Sequence, residues 1–197
     1  VGTLLAEGVR EASKRVGKGS EHFAMHVKGL EMAGFDVRGM KACGFGYAVC
    51  TRGGCHVRSG AYDLNLKGIV DFQEVNFPPE WVMEMEDFAS LIDSLVICRF
   101  IRGMWKWNGM ESFKERYAGL AELYTLTTGI QINSKDLRKA GERITSLKKL
   151  FNIREGWKKT DDMLPPRIMH DTIPTGPLKG ARILPEELEN FLTKYYK

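Results

Sequence analysis

An apolar run at residues 88–100 constrains the fold of this chain most, because one carboxylate (Asp93) and one thiol (Cys98) interrupt it. The run falls in a pattern that predicts a buried helix over residues 79–104. A buried carboxylate is costly, so Asp93 needs hydrogen-bond donors, a cation or a ligand. On a helix, residues five apart lie roughly 140° apart around the axis and about 7.5 Å along it. Two groups so far apart cannot easily share one small ligand, but each could touch one of two neighbouring groups.

Both groups also have a structural interpretation. Free cysteine usually behaves as a small hydrophobic residue in a core, so Cys98 could be there for packing. Asp93 could be the ion-pair partner of Arg99 or Arg102. The residues by themselves leave the structural and the ligand role open for each side chain.

The remaining pattern predicts an all-α, multihelical fold. Apolar residues recur at helical spacing in five ranges that have typical helix start and stop residues, namely 3–16, 79–104, 110–128, 134–155 and 185–196. In the fourth range the expected core face consists of Leu137, Ala140, Ile144, Leu147, Leu150 and Phe151. The glycine-dense stretch 29–60 is predicted to be a long irregular segment, and no strand pair is expected.

Composition narrows the class of protein. The 197 residues are 43% hydrophobic and 27% charged, and 29 Lys and Arg against 25 Asp and Glu give a net charge of only +4. Basic residues alternate with acidic ones, which argues against a nucleic-acid-binding stripe. No apolar run is long enough to span a membrane and no leader is visible, so a cytoplasmic location is expected. The first residues have the apolar pattern of the middle of a helix, so we expect the chain to be a piece of a larger protein.

Six motifs, taken together and in order, resemble the C-terminal part of the tungsten-containing aldehyde ferredoxin oxidoreductases. The resemblance covers essentially the whole chain. The motifs are Gly19-Ser-Glu-His-Phe-Ala-Met-His-Val-Lys-Gly29, Val37-Arg-Gly-Met-Lys41, Gly44-Phe-Gly-Tyr-Ala48, Arg52-Gly-Gly-Cys-His56, Asp93-x4-Cys98 and Leu164-Pro-Pro-Arg167.

The resemblance implies a domain organisation and cofactors. Residues 1–30 would be the last helix and exit of a middle helical domain, and 31–197 a C-terminal helical domain whose glycine-rich loop faces the cofactor. The family holds tungsten between two pterins (tungstopterin) beside a [4Fe-4S] cluster. Cys98 would be the fourth cluster ligand, and Asp93 would accept hydrogen bonds from a pterin.

The resemblance also assigns roles to a histidine and to three arginines. His56 corresponds to the family's histidine near tungsten, which can bind the aldehyde oxygen or carry a proton. Arg52, Arg58 and Arg99 would bind the cofactor, since a guanidinium forms paired hydrogen bonds with anionic groups.

The implied activity is oxidation of aldehydes to carboxylic acids with electron transfer to ferredoxin. Two elements of the family are absent from this sequence, the Cys-x2-Cys-x3-Cys cluster motif and the glutamate proposed as general base. Both cofactors are therefore expected only in the complete enzyme, with the remainder of the subunit as a partner and a homodimer left open. The chain by itself is expected to be inactive. The alternative is a non-catalytic helical binding or packing module, with Asp93 in a salt bridge and Cys98 in the core.

Overall fold

The computed structural model describes residues 1–100 and 109–197, and helices dominate them as predicted. The α-helices are α1 (Gly2–Ala6), α2 (Val9–Val16), α3 (Lys41–Val49), α4 (His56–Ser59), α5 (Tyr62–Leu66), α6 (Glu80–Ser94), α7 (Phe113–Thr128), α8 (Ser134–Arg154), α9 (Pro166–His170) and α10 (Pro185–Tyr195). Short 3₁₀ turns lie at Ser20–Phe23, Val37–Gly39, Met110–Ser112 and Lys159–Asp161. The expected all-α, multihelical class is confirmed.

Helix α3 lies at the centre of the fold, with all nine of its residues buried. Its two glycines lie where other elements approach most closely. A Cβ atom at Gly44 would lie 2.4 Å from Cδ1 of Ile183, and one at Gly46 would lie 2.5 Å from Cβ of Ala61. On another side, the Phe45 ring stacks on Phe191 of α10 with 4.6 Å between ring centroids. The glycines therefore permit a helix that is packed on every side.

This helix corrects the prediction that residues 29–60 form one irregular segment. Helix α3 was missed because a helix buried on all sides has no polar face and hence no amphipathic period. Gly53 and Gly54, further along the stretch, pack against backbone carbonyls of the chain itself. Contacts within the chain therefore require glycine at these positions.

The helix predicted over residues 79–104 ends early. Its first part is α6, in which Phe88, Leu91 and Ile92 are buried as expected. The helix stops at Ser94, Val96 adopts a left-handed conformation with φ 57°, and Cys98 beyond it is exposed. The prediction of a buried Cys98 on a continuous helix is therefore wrong. Residues 101–104 of the predicted range lie outside the described residues.

Helix α8 has the predicted bounds to within one residue, but its predicted core face is largely solvent-exposed. Leu147, Leu150 and Phe151 are 69%, 62% and 53% exposed. Of the predicted face only Leu137 is buried, and the other buried residues of α8 are Gly141 and Thr145. A Cβ atom at Gly141 would lie 2.8 Å from the carbonyl oxygen of Asp87, so α6 and α8 cross closely at this glycine.

The predicted helix over 3–16 is divided into α1 and α2 at Gly8, whose φ is 88°. The Glu31 carboxylate accepts a hydrogen bond of 2.7 Å from the Val9 backbone N–H and so satisfies a free donor at the start of α2. Glu31 belongs to a small antiparallel hairpin of β1 (His26–Val27) and β2 (Leu30–Glu31), too short to be predicted from an alternating pattern.

Helices α7 and α10 lie within one to three residues of the predicted ranges. Gly129 ends α7 in a left-handed conformation, as expected of a C-terminal glycine. None of the helices in the described ranges is both long and apolar enough to cross a membrane.

The position of Gly46 yields a stability test. We expect Gly46→Ala to lower the free energy of unfolding by about 1–3 kcal/mol, because the added methyl group meets Ala61 and Ser59 in a packed core. Urea denaturation measures the change. Gly34→Ala, in the same stretch but with no atom within 4 Å of the new Cβ, is the control and should change little.

The two faces of α8 yield a second test. Leu150→Gln should change the free energy of unfolding by less than about 0.5 kcal/mol, because the side chain is mostly exposed. Leu137→Ala, on the buried face of the same helix, should cost about 2–5 kcal/mol. A larger loss for Leu150→Gln than for Leu137→Ala would show that the two faces are reversed.

Candidate functional site

The segment 50–60, which follows α3, carries three of the predicted site residues and is fastened to α8. The Lys149 ammonium donates to the carbonyl oxygen of Val49 at 3.2 Å, and the Asn152 side-chain amide donates to that of Thr51 at 2.7 Å. Two side chains of one helix thus fix the end of α3 and the start of the loop.

The loop is fastened on its other side to the β1–β2 hairpin. A Cβ atom at Gly53 would lie 2.2 Å from the carbonyl oxygen of Val27, and one at Gly54 would lie 2.8 Å from that of Leu30. Gly53 also has φ 102°, a conformation that side-chain-bearing residues rarely adopt. The Gly-Gly pair is therefore required for the loop to pass over the hairpin.

His56 is the first residue of α4 and is half-buried among aromatic rings. Its ring centroid lies 5.1 Å from that of Phe35 and 5.5 Å from that of Tyr62. Phe35 and Tyr62 themselves stack at 5.8 Å. The two aromatic side chains restrict the orientation of the imidazole, which a group that transfers a proton requires.

Asp93, in the last turn of α6, forms an ion pair with Arg58 of α4. The arginine contacts Oδ2 only, and no donor within residues 1–100 and 109–197 reaches Oδ1. Of the two partners considered from the sequence, Arg102 lies outside the described residues, and the charge of Asp93 acts on Arg99 by raising its pKa. The carboxylate is thus held in place with one oxygen able to accept further hydrogen bonds.

Arg99 lies beneath the same segment. It donates a hydrogen bond to the carbonyl oxygen of Val57, and its guanidinium passes 3.7 Å from where a Cβ atom of Gly60 would be. Burial lowers the pKa of Arg99, and the negative charges of Asp93 and Asp63 partly offset that effect. Its buried Nε–H has no hydrogen-bond partner among the described residues. Such an unsatisfied donor is uncommon and marks a place where an acceptor would be stabilised.

Cys98 differs from the other three cysteines in being exposed. Burial raises the pKa of the Cys43 and Cys50 thiols to about 12, which keeps both protonated and unreactive. Val96 and Phe100, on either side of Cys98, are also mostly exposed. In the described part of the chain, no group of three or more His, Cys, Asp or Glu side chains is arranged to hold a metal ion. The Cys98 thiol is thus accessible at the surface of the described part of the chain.

Arg52 and Arg58 line one open concavity of about 530 Å³ between the loop and α8. The remaining lining residues are Thr51, Leu147, Lys148, Phe151 and Asn152. Sequence reasoning missed the contribution of α8, and no signal in the sequence separates Lys148 from the other basic residues of that helix.

The structure thus brings four of the six predicted site residues close to one another. Arg58, Asp93 and Arg99 lie together, and Arg52 shares the concavity with Arg58. His56 lies among aromatic rings and Cys98 is exposed beyond α6; neither lines that concavity.

Comparison with known proteins identifies the family of the chain. The family model described as aldehyde ferredoxin oxidoreductase, domains 2 and 3, matches residues 1–197. The tungsten-containing aldehyde ferredoxin oxidoreductases of Pyrococcus furiosus and Thermococcus kodakarensis are 31% and 29% identical to the whole chain. An aliphatic sulfonate oxidoreductase, WOR-like subunit, of Pyrococcus furiosus is 26% identical. Each match spans the whole of this chain but only 31%, 31% and 29% of the length of the respective relative. The chain therefore belongs to the aldehyde ferredoxin oxidoreductase family.

Proposed function

We propose that this chain is the part of a tungstopterin, iron–sulfur aldehyde:ferredoxin oxidoreductase that completes the cofactor site from the C-terminal side. The observation that carries the proposal is the exposure of Cys98, the one cysteine expected to bind iron, while the three cysteines with no assigned role are buried. A ligand to a cluster bound mainly by another region must be accessible.

The residues present fit the two cofactors. Oδ1 of Asp93, which no donor of residues 1–100 and 109–197 reaches, is a suitable acceptor for pterin N–H groups. The unsatisfied Nε–H of Arg99 and the arginines at positions 52 and 58 supply donors for acceptor atoms and anionic groups. When bound, the tungsten centre would supply the two-electron redox chemistry and the cluster would pass the electrons on singly to ferredoxin.

In this proposal His56 handles the proton. Oxidation of an aldehyde to a carboxylic acid takes the oxygen of one water molecule and releases two electrons and two protons. An imidazole whose plane is fixed by Phe35 and Tyr62 can hold the aldehyde oxygen by a hydrogen bond and accept a released proton. Arg58 lies on the same helix as His56, α4, and its ion pair with Asp93 holds that helix in position.

We further propose that the remainder of a family-type subunit covers the exposed apolar surfaces. Leu147, Leu150 and Phe151 of α8 form a contiguous apolar face of the kind that marks an interaction site. The apolar residues of α1 and α2 are likewise not buried within this chain. That exposure supports placing residues 1–30 with a separate middle domain and 31–197 in a C-terminal domain.

The alternative is a non-catalytic helical module that only packs against partner proteins. The same exposed face of α8 favours it. It predicts that Asp93 serves only the salt bridge with Arg58. Metal content separates the two proposals, because a packing module has no need of iron or tungsten.

The role of Cys98 is tested in the anaerobically purified enzyme that contains this chain. We expect Cys98→Ser to lower the cluster iron from about four atoms to three or fewer per polypeptide, because a thiolate ligand is lost. Iron analysis and the electron paramagnetic resonance spectrum of the reduced cluster measure the effect. Cys43→Ala, at a buried cysteine, is the control and should leave both unchanged. Unchanged iron and an unchanged spectrum in Cys98→Ser would remove Cys98 from the cluster.

The role of His56 is tested by steady-state kinetics of aldehyde oxidation. His56→Asn should keep the metal content and lower kcat by about 10²–10⁴-fold, the range typical of a lost proton-transfer group. The alkaline or acidic limb of the pH profile that belongs to the histidine should disappear with it. His170→Asn, at an exposed position, should match the unmodified enzyme. An unchanged kcat and pH profile in His56→Asn would exclude the assignment.

A further inference from the structure

A row of polar side chains lies in the interface between α6 and α8. Gly141, Thr145 and Lys148 share one side of α8, because residues three and four apart lie on the same side of a helix. Asp87 and Ser90 face them from α6. The absence of a side chain at Gly141 lets the helices cross closely, so the polar groups come within hydrogen-bonding reach of one another.

Hydrogen bonds join four of these side chains from end to end. The Lys148 ammonium donates to the Ser90 hydroxyl at 2.9 Å. The hydroxyl oxygens of Ser90 and Thr145 lie 3.1 Å apart, and a hydroxyl can be donor or acceptor in such a pair. Hydrogen bonding from the Thr145 hydroxyl also reaches the Asp87 carboxylate. With each hydroxyl donating to the next group, every bond of the row points from Lys148 towards Asp87.

The two hydroxyl groups in the middle of the row are buried. Ser90 is 5% exposed and Thr145 is 6% exposed. Alanine and valine would fill the same spaces between two helices without the cost of taking a hydroxyl group out of water. Packing alone therefore does not call for hydroxyl groups here, whereas transfer of a proton along the row requires them.

The two ends of the row open into different spaces. Lys148 lines the concavity of about 530 Å³ that Arg58 also lines, beside the candidate site. Asp87 and Thr145 line an open cavity of about 440 Å³ together with Glu84, here called the acidic cavity. The row thus connects two accessible spaces across the interface between α6 and α8.

Asp87 is an acid that exchanges its proton close to neutral pH. Burial raises its pKa to about 6, the hydrogen bond from Thr145 partly offsets that rise, and the negative charges of Glu86, Glu84 and Glu142 raise it further. An acid of this strength can take up a proton from the row and release it to water in the acidic cavity.

Two further groups lie on this side of the interface. Tyr117 of α7 faces Asp87 and Glu84, and burial, together with these two charges, raises the pKa of its phenol. Arg138 of α8 pairs with Glu84 at 2.5 Å. Neither provides Asp87 with a salt bridge among the described residues, so its carboxyl group stays free to bind and release a proton.

Lys148 is shifted in the opposite direction. Burial lowers the pKa of its ammonium, the positive charge of Arg58 lowers it further, and the negative charges of Asp93, Cys50 and Glu86 partly offset these effects. The pKa values of the two end groups therefore lie closer together than those of a free lysine and a free aspartic acid. That difference sets the free energy of moving a proton from one end to the other.

We propose that Lys148, Ser90, Thr145 and Asp87 form a proton path from the candidate site to the acidic cavity. In one transfer the Lys148 ammonium gives a proton to Ser90, the Ser90 hydroxyl gives its own proton to Thr145, and the Thr145 hydroxyl gives its own to Asp87. One N–H bond breaks at Lys148, one O–H bond forms at Asp87, and both hydroxyl groups are regenerated. Asp87 then releases the proton to water.

The inference rests on the proposed function, because aldehyde oxidation is the reaction that supplies the protons. Electrons would leave the site through the cluster and protons through the helix interface. The four side chains act on the reaction only by removing protons, and neither the sequence pattern nor the family motifs pointed to Ser90, Thr145 or Asp87.

The hydrogen-bonded row itself is tested in the 197-residue chain, without any need for activity. NMR titration of the side-chain carboxyl carbon measures the pKa of Asp87. Thr145→Val removes the hydroxyl at nearly constant shape, so the pKa of Asp87 should rise as the offsetting hydrogen bond is lost. Thr145→Ser should leave it near the unmodified value, and so should Ser146→Ala, at an exposed serine of the same helix. An unchanged pKa in Thr145→Val would overturn the proposal.

Proton transfer is tested in the anaerobically purified enzyme that contains this chain. A pH-indicator dye follows proton release during a single turnover with an aldehyde. Thr145→Val should slow this release by about tenfold or more at unchanged tungsten and iron content, and Thr145→Ser should restore it. If Thr145→Val fails to fold, Ser90→Ala takes its place with the same expectation. Ser146→Ala should release protons at the unmodified rate.

Asp87→Asn separates a lost proton carrier from a structural defect. This variant should also release protons slowly, but added imidazole should restore the rate, because Asp87 is reached from the acidic cavity and a small diffusible base can replace it. A structural defect would not respond to imidazole. Unmodified rates of proton release in both Thr145→Val and Asp87→Asn would overturn the proposal.

Failure of this inference is distinguishable from failure of the proposed function. Aldehyde oxidation with unaltered proton release in the variants would reject the path and keep the enzyme. An assembled protein that takes up no tungsten and oxidises no aldehyde would reject both, while the pKa of Asp87 in Thr145→Val would still report whether the row exists.

Discussion

The complete burial of α3 is the constraint on which the rest of the structure depends. A helix packed on every side must present small surfaces where its neighbours come closest, and Gly44 and Gly46 provide them. Because α3 cannot shift without disturbing all of its neighbours, the loop that leaves its C-terminal end starts from a fixed point. Lys28 reinforces that end from the hairpin, where its ammonium donates to the carbonyl oxygen of Ala48 and pairs with the buried carboxylate of Asp162 at 2.6 Å.

The candidate site is rigid for this reason, although most of it is a loop. The segment 50–60 lies between the hairpin, which Gly53 and Gly54 contact through the backbone, and α8, which holds it through Asn152. At its far end the Arg58–Asp93 ion pair joins α4 to α6. Sites need such support because a displaced polar group loses most of its effect on a bound ligand. Among the described residues, nothing donates to Oδ1 of Asp93 and nothing accepts from Nε of Arg99, so both atoms are left to a ligand or to another part of the protein.

The sequence predicted the elements that have an amphipathic pattern and recognisable ends. Asn133 caps α8 by accepting from the Asp136 N–H at 2.9 Å, and Gly129 ends α7. An apolar pattern does not indicate which part of a protein covers an apolar helix face. The exposed apolar face of α8 was therefore predicted to be core. It also extended α6 beyond Ser94, because nothing local in the apolar run indicates the left-handed Val96.

The site residues came from motifs that resemble a family, and their roles stay predictions. Their spatial relation is what the fold adds: Arg58 and Asp93, 35 positions apart, form a pair that was not foreseen. Lys148 could not be found from the sequence, because an alternating charge pattern on a helix looks the same whether a lysine faces solvent or a ligand.

The central claim is that this chain completes a tungsten and iron–sulfur centre, and elemental analysis of the unmodified, anaerobically purified enzyme tests it most directly. The account predicts tungsten near one atom and iron near four atoms per polypeptide that contains this chain. A folded and fully assembled protein with neither metal would contradict it and would favour a helical packing module.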